Sequence, residues 1–250
     1  MKRIALVTGA TGGIGGEFIK QLSNLGFEEI WAVGRNEGKL AAFTGNVVPI
    51  KADIGTPEGL VVIRTKLESE KPDVAMLVNN AGVAYMGKFS DMSEEQIASL
   101  MDVNCKACAL LTRIVLPYMK SDAVIFNISS ASSFQPNPYL TMYSASKVFV
   151  KNFSRALNVE LKESGIKAIA VCPGWVDTDM LPREANGKPI KYPGMVTAEK
   201  VVTQALKDAK KGKDVSLSSA YNRVIRFNVK HLPTRYVMKV WAKMIKEYME

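Results

Sequence analysis

Apolar positions follow two rhythms along this chain. Short runs at Arg3–Val7, Glu29–Val33, Val47–Ala52, Val74–Val78, Ala123–Ile128, Lys167–Cys172 and Asp214–Leu217 are rich in Val and Ile, and several are apolar almost throughout. Strands covered by helices on both faces read this way. Between them lie stretches with helical spacing, near Ile14–Leu25, Pro57–Lys71, Glu94–Leu116, Ser144–Glu163 and Ala198–Lys210. Thr56 before Pro57 and Thr197 before Ala198 supply N-caps. The alternation predicts an α/β fold, a doubly wound parallel sheet of about seven strands with helices on both faces. No low-complexity linker or fixed-period repeat divides the chain, so one domain over residues 1–250 is expected, with 221–250 as a C-terminal helical extension. Residues Val176–Val196 are broken by Pro182, Gly187, Pro189, Pro193 and Gly194. They predict a long loop, and long loops in compact domains are usually functional.

The extension has its own pattern. From Thr234 onward, Val237, Val240, Trp241, Met244, Ile245 and Tyr248 recur three and four apart, with Lys239, Lys243, Lys246 and Glu250 on other faces. This predicts a basic amphipathic helix with an aromatic anchor. It either packs on the protein body or a partner subunit, or makes weak contact with an anionic membrane through 234–250. The chain carries a net charge of +9. Residues 221–250 hold seven Lys/Arg (Arg223, Arg226, Lys230, Arg235, Lys239, Lys243, Lys246) against Glu247 and Glu250, so over half of the excess sits there. The main body has no basic stripe interleaved with aromatics, and no nucleic-acid partner is expected.

Composition removes several classes. Hydrophobic residues at 47% and charged residues at 23% over 250 positions suit a globular chain with a sizeable core, not a disordered one. Three Cys argue against a disulfide framework. The first apolar run, Ile4–Val7, is too short for a secretory signal, and no long uncharged apolar stretch predicts a membrane span. A cytoplasmic protein is expected, with peripheral membrane contact as the variant that the tail allows.

The chemistry gathers after the strands. Thr8-Gly9-Ala10-Thr11-Gly12-Gly13-Ile14-Gly15 lies between the first strand and first helix. Glycines there let a pyrophosphate approach the helix N-terminus, where free N–H groups and the helix dipole favour its charge. The spacing is GxxxGxG, and no Gly-Lys-Ser/Thr follows, which excludes a nucleoside-triphosphatase loop. About 20 residues past Gly15, where an acid would hold a ribose hydroxyl, stands Arg35. An Arg there grips a 2′-phosphate through paired charge-assisted bonds. The signal favours NADP(H) over NAD(H). Further along come Asn79-Asn80-Ala81-Gly82, then Asn104, then Ser129-Ser130, then Tyr143 and Lys147 four apart on one helix face, then Pro173-Gly174.

This ordered set resembles the short-chain dehydrogenase/reductase family in its ordinary 250-residue form, over residues 1 to about 217. The resemblance implies a Rossmann-like fold. TGATGGIG looks like the family's TGxxxGxG cofactor turn, which assigns Gly9, Thr11, Gly13, Ile14 and Gly15 to the cofactor. Asp53 matches the position that contacts adenine, and Asn80, Ala81 and Gly82 match the motif after the fourth strand. Asn104, Ser130, Tyr143 and Lys147 match the catalytic tetrad. Pro173, Gly174, Val176 and Thr178 resemble PGxVxT, which holds the nicotinamide carboxamide. Gly12 departs from the basic residue that phosphorylated-cofactor members often carry, leaving Arg35 to act with Thr11 and with Asn36 and Lys39.

In this reading Tyr143 is the general acid for carbonyl reduction and the base for oxidation. A Lys147 cation about 4 Å away at an effective dielectric of about 20 is worth roughly 4 kcal/mol, about three pKa units, which predicts a phenol near 7. Lys147 also holds the cofactor ribose, Ser130 bonds the carbonyl oxygen, and Asn104 supports a water chain. The expected pocket residues, Tyr85, Met86, Phe134, Pro136, Tyr139, Leu140, Trp175, Met180, Leu181, Tyr192 and Met195, suit a bulky hydrophobic carbonyl or alcohol. A steroid, a 3-oxoacyl chain and a xenobiotic ketone all satisfy that description. A non-catalytic cofactor sensor or scaffold is the alternative on the same fold. Cys105 and Cys108, three apart on an apolar helix face, read as buried thiols, so no metal site is expected despite Cys172 and His231. The resemblance implies a homodimer or homotetramer, with helices 94–116 and 144–163 pairing across a two-fold axis.

Overall fold

Alternate residues of the first strand, β1 (Arg3–Thr8), feed two separate cores. Ala5 and Val7 pack with Phe18, Leu22, Val201 and Ala205, whereas Ile4 and Leu6 pack with Ile63, Leu67, Leu111 and Val115. Neighbouring strand residues point to opposite faces, so an unbroken apolar run needs cover on both sides. The computed structural model, which describes residues 1–185 and 187–246, provides that cover. Around β1 lie β2 (Glu29–Gly34), β3 (Val47–Lys51), β4 (Asp73–Asn79), β5 (Val124–Ile128) and β6 (Lys167–Val171). After a two-residue hairpin, β7 (Glu184–Ala185) with β8 (Lys188–Pro189), the short β9 (Val215–Ser216) closes the edge. The main sheet of the described residues is parallel, in the order β3-β2-β1-β4-β5-β6-β9. Connections reverse direction between β1 and β4, which opens a crevice at the strands' C-terminal ends.

Three helices follow the first strands: α1 (Gly13–Leu22) and α2 (Glu37–Ala41) pack into the Ala5/Val7 core, and α3 (Pro57–Glu70) packs into the Ile4/Leu6 core on the other face. Thr56 caps α3 by accepting from Gly59 N at 3.1 Å, as its sequence position predicts. The stretch expected as one helix over Glu94–Leu116 is instead two, α4 (Glu94–Met101) and α5 (Ala107–Val115), joined by a π-helical turn over Asp102–Lys106. Residues with a helical pattern give no sign of this wider turn, and such turns recur at functional sites. α6 (Thr141–Glu160) and α7 (Ala198–Lys210) follow, the latter capped by Thr197, which accepts from Lys200 N.

Two helices finish the described chain, α8 (Ala220–His231) and α9 (Thr234–Lys246). The α9 stripe lies against the protein body. Ile245 is fully buried, Trp241 Nε1 donates to Pro138 O at 2.9 Å, and the Trp241 ring stacks on Trp175 at 6.0 Å. The aromatic anchor of the tail is therefore used within the fold. Tyr248, Glu247 and Glu250 lie outside the described residues. Among those described, no helix is long and apolar enough to cross a membrane.

Candidate active site

The crevice begins at the glycine turn. Gly9 has φ +60°, a left-handed conformation that a side chain disfavours. At Gly15 a Cβ would overlap the Gly9 carbonyl, so only glycine lets α1 sit this close to β1. Gly12 occupies the N-cap with no side-chain bond, and the first turn of α1 carries no acid. The helix thus presents backbone N–H groups and its positive end into the crevice beside Thr11, Gly13 and Ile14. A dinucleotide diphosphate fits that environment. Thr178, from the segment after β6, sits directly over Gly13.

The loop after β4 braces this turn. Asn80 Nδ2 donates to Thr8 O at 2.9 Å and Gly9 O at 3.0 Å. Thr8 Oγ1, fully buried, accepts from Asn80 N and Ala81 N at 3.0 and 3.1 Å. The Asn80 side chain is therefore committed to holding the turn in shape. Gly82 lies next, with Asn104 Oδ1 and Lys147 Nζ as its nearest side-chain neighbours.

Asn104 is at the centre of the π turn and 2% exposed. Its Oδ1 accepts from Val83 N at 2.8 Å, and its Nδ2 donates to Val83 O at 2.9 Å and to Ser146 Oγ at 3.1 Å. Ser146 in turn donates to Tyr143 O at 2.7 Å, and Ser129 Oγ donates to Lys147 O at 2.7 Å. These bonds fix α6, and Lys147 Nζ donates to Ile128 O at 2.8 Å, 5.5 Å from the Tyr143 ring centre. Beneath them Asn79 donates to Asn127, and Asn127 to Ser154, in a buried relay from β4 through β5 to α6. Ser146, Asn127 and Ser154 escaped the sequence reading, because polar residues in helices and strands ordinarily face water.

The structure reverses the expected titration of Tyr143. Burial holds the phenol above its ordinary value, against a hydrogen bond from Ser130 that pulls it down, while Cys172 adds a small upward push. The same burial lowers Lys147 to about 8, with the neighbouring thiols opposing it. Desolvation disfavours both charged forms, a cost that a pairwise Coulomb argument omits. At neutral pH Tyr143 accordingly keeps its proton. Ser130, 8% exposed, also accepts from Ser132 N at 3.1 Å, which fixes its side chain at the end of β5.

The far end of the crevice is looser. Arg35, exposed at the end of β2, faces Asp53 across 3.8 Å, and Asp53 accepts from Gly55 N at 3.0 Å. Asn36 caps α2 by accepting from Lys39 N, which uses its side chain locally.

After β6, Pro173 O accepts from Ala131 N at 2.7 Å, which ties the Ser130 loop to Pro173-Gly174. Val176 bridges Val196, so the long loop is clipped at its base, and Tyr192 is buried with its hydroxyl donating to Pro182 O at 2.8 Å. Trp175 lies 4.8 Å from the Tyr192 ring. Tyr139 adopts φ +65°, strained for an aromatic residue, and its carbonyl accepts from Gly87 N at 2.9 Å. The 84–87 and 135–140 loops are thereby joined. Phe134 departs from the expected pocket, since it packs beside Ala170, Cys172, Val215 and Leu217 with Lys151 and Arg226 over its ring. Cys105, Cys108 and Cys172 are buried thiols, and burial pushes Cys108 up to about 12, far from a metal-binding thiolate.

Comparison with known proteins gives the family and the fold. A family model described as short chain dehydrogenase matches residues 3–188. The very-long-chain 3-oxoacyl-CoA reductase of Anas platyrhynchos is 37% identical over 190 residues, covering 70% of this chain and 60% of that protein. The human "inactive hydroxysteroid dehydrogenase-like protein 1" is 35% identical over 191 residues, 71% of this chain and 57% of its own length. The chain thus spans less than two thirds of either relative. A solved short-chain dehydrogenase from Sphingobium yanoikuyae, in complex with NADPH, superposes with a TM-score of 0.78 at 26% identity, covering 97% of this chain and 94% of that one.

Proposed function

Because this chain belongs to the short-chain dehydrogenase/reductase family, we propose that it is an NADP(H)-dependent oxidoreductase acting on a hydrophobic ketone or secondary alcohol. The observation that carries the reading is that Ser130 bonds the half-buried Tyr143, with the buried Lys147 5.5 Å from the Tyr143 ring centre, at the strand ends where the N-terminus of α1 also opens. Bound cofactor would supply the hydride. Tyr143 gives its phenolic proton to the carbonyl oxygen, and in oxidation it takes that proton back. Ser130 donates to the same oxygen and stabilises its developing charge. Lys147, with its pKa near 8, readily changes its charge near neutral pH and so relays protons to Tyr143. Asn104 is a positioning residue that holds the Val83 backbone and, through Ser146, the first turn of α6.

Gly9, Thr11, Gly13, Ile14 and Gly15 would hold the diphosphate. Arg35 would hold the 2′-phosphate and Asp53 the adenine. Asn80, Ala81 and Gly82 would flank the cofactor after β4. Pro173, Gly174, Val176 and Thr178 would hold the carboxamide. The neighbour with NADPH supports the phosphorylated cofactor, as does the exposed cation at Arg35. Leu140, Trp175 and Tyr192, with α9 packed beside them through Trp241, favour a bulky apolar substrate such as a steroid, a 3-oxoacyl chain or a xenobiotic ketone. Absorbance at 340 nm with a ketone panel tests the reading. Cofactor-dependent turnover is expected. Tight cofactor binding with silence across the panel would favour the non-catalytic sensor, the reading to which the inactive human relative lends weight.

We place this activity in the cytoplasm, in one domain, in a homo-oligomer. Met101 and Leu110 of α4 and α5, and Phe149 of α6, leave apolar side chains exposed where those helices would pair. Their charges are mixed, Glu94, Asp102 and Lys106 on one side and Lys151, Arg155 and Glu160 on the other. A two-fold contact can match such a surface to itself. A monomeric mass by light scattering at micromolar concentration would exclude the oligomer.

A further inference from the structure

The C-terminal helices carry a surface of a different kind. From Val215 to Lys246 the sequence contains seven Lys/Arg and no Asp or Glu. α8 and α9 run out and back. Asn222, near the start of α8, lies against Gly174, and Trp241 of α9 stacks on the adjacent Trp175. Their inner faces are accounted for by Asn222, Trp241 and Ile245. Their outer faces are not polar. Tyr221, Val224, Phe227, Leu232, Tyr236 and Val240 are between 42% and 64% exposed. Tyr221, Val224 and Phe227 recur every third position on one side of α8, and Tyr236 and Val240 share a side of α9. Behind Phe227 and His231 a groove of about 820 Å³ between α6 and α8 is of mixed charge, with Arg223, Arg226 and Lys230 of α8 facing Asp208 and Asp214, so the acid-free surface is the outer face of α8 and α9 alone.

We propose that the outer face of α8 and α9 docks on an anionic bilayer, with the apolar side chains at the headgroup boundary and the cations among lipid phosphates. Two properties on the page select this occupant. Cations without acids would repel a second copy at a two-fold contact, unlike the mixed-charge surface of α4 to α6. Exposed Val224, Leu232 and Val240 offer nothing to a nucleic-acid backbone, whereas aromatic and aliphatic side chains beside Lys and Arg match an interfacial helix. The docking face shares only Val240 with the α9 stripe that the sequence points to, since Trp241 and Ile245 of that stripe are turned inward. Docking would bring the Trp175 side of the crevice close to the lipid, where apolar carbonyl compounds dissolve.

Cosedimentation of the full chain with vesicles tests this, using phosphatidylcholine alone and with 30% phosphatidylserine. Binding is expected on the anionic vesicles, at least about tenfold weaker on the neutral ones and weaker again in 0.5 M salt. Val224→Glu/Phe227→Glu and Lys239→Glu/Lys243→Glu should each abolish it. The fold of each variant is checked by circular dichroism and by NADPH binding, which stay at wild-type values. Lys239→Gln/Lys243→Gln, milder by design, should give a partial loss. No binding at millimolar anionic lipid would overturn the proposal, as would equal binding to neutral vesicles. A native oligomer that falls to monomers in Val224→Glu/Phe227→Glu would also overturn it, and assign the face to a second copy. None of these readouts depends on turnover.

Discussion

The two ends of the crevice are built to different standards. At the end that holds Tyr143, the side chains of Asn104, Ser129, Ser146 and Lys147 are each 5% exposed or less and each bonded to a neighbouring segment. At the other end, Arg35 stands in solvent and meets Asp53 across 3.8 Å. The first region is part of the fold, so its chemistry and its stability cannot be changed independently. The second contributes little to the fold, because an exposed ion pair is worth about 0–1 kcal/mol. Its cation is left available for a phosphate. On the proposed function, catalytic geometry would be guarded by the core, and cofactor choice would rest on a surface that substitution can alter cheaply.

The sharpest way to break this contrast is Tyr143→Phe. Reduction should fall by about 10²–10⁴-fold, the range of general acid catalysis, with NADPH binding within about twofold of wild type by fluorescence titration. A retained rate would remove Tyr143 as the acid. In the intact enzyme, alcohol oxidation should accelerate with pH through 8 and beyond, because a phenol held above its ordinary value loses its proton late. An oxidation rate already flat at pH 7 would contradict that burial.

Asn104→Ala removes three hydrogen bonds from a buried site. A loss of about 2–3 kcal/mol is expected, seen as a fall in Tm of roughly 5–10 °C. An unchanged Tm would mean that Val83 and Ser146 are held by other means.

Lys147→Met should move stability and activity together, in opposite directions. The folded pKa of Lys147 is about 8, below the unfolded value near 10.5. Below pH 8 both states bind the proton and the folded state bears the cost of a buried charge. Between about 8 and 10.5 the unfolded state binds more, so wild-type stability rises with pH across that window. The variant should lack that rise and, net of the bond to Ile128 O, be about 1–2 kcal/mol more stable at pH 7 while inactive. Urea titrations at pH 7 and 10 measure both, and a variant less stable at pH 7 would reverse the sign assigned to burial.

The smallest effect belongs to the open end. Arg35→Ala should weaken NADPH about tenfold and NADH hardly at all, with Tm unchanged. Equal losses for the two cofactors would withdraw the 2′-phosphate from Arg35.

Much of the site was legible because strand ends are legible. The residues that follow β1, β4, β5 and β6 come in a fixed order, and a parallel sheet aligns those ends without further instruction. The tail helix was readable from Thr234 onward for a similar reason, since its apolar spacing is periodic. The π turn at Asp102–Lys106 was not, because one extra residue in a helical turn leaves the local pattern intact. Asn127, Ser146 and Ser154 were missed because their burial depends on segments far apart in the chain. The same non-local burial reversed the Tyr143 titration. Phe134 was misplaced because α8 and β9 draw it into their own cluster, a pull that spacing does not encode.

The pairing of Val176 with Val196 has a consequence for how this protein could acquire new substrates. The entropy of closing a loop grows only slowly with its length, and here the closure is already made by the bridge. The residues between Thr178, which lies over Gly13, and Val196 therefore behave as a cassette on a fixed mount. They can be lengthened, shortened or rewritten while Pro173 and Gly174 stay in register with the sheet, and what the crevice accepts can drift without the chemistry having to be rebuilt.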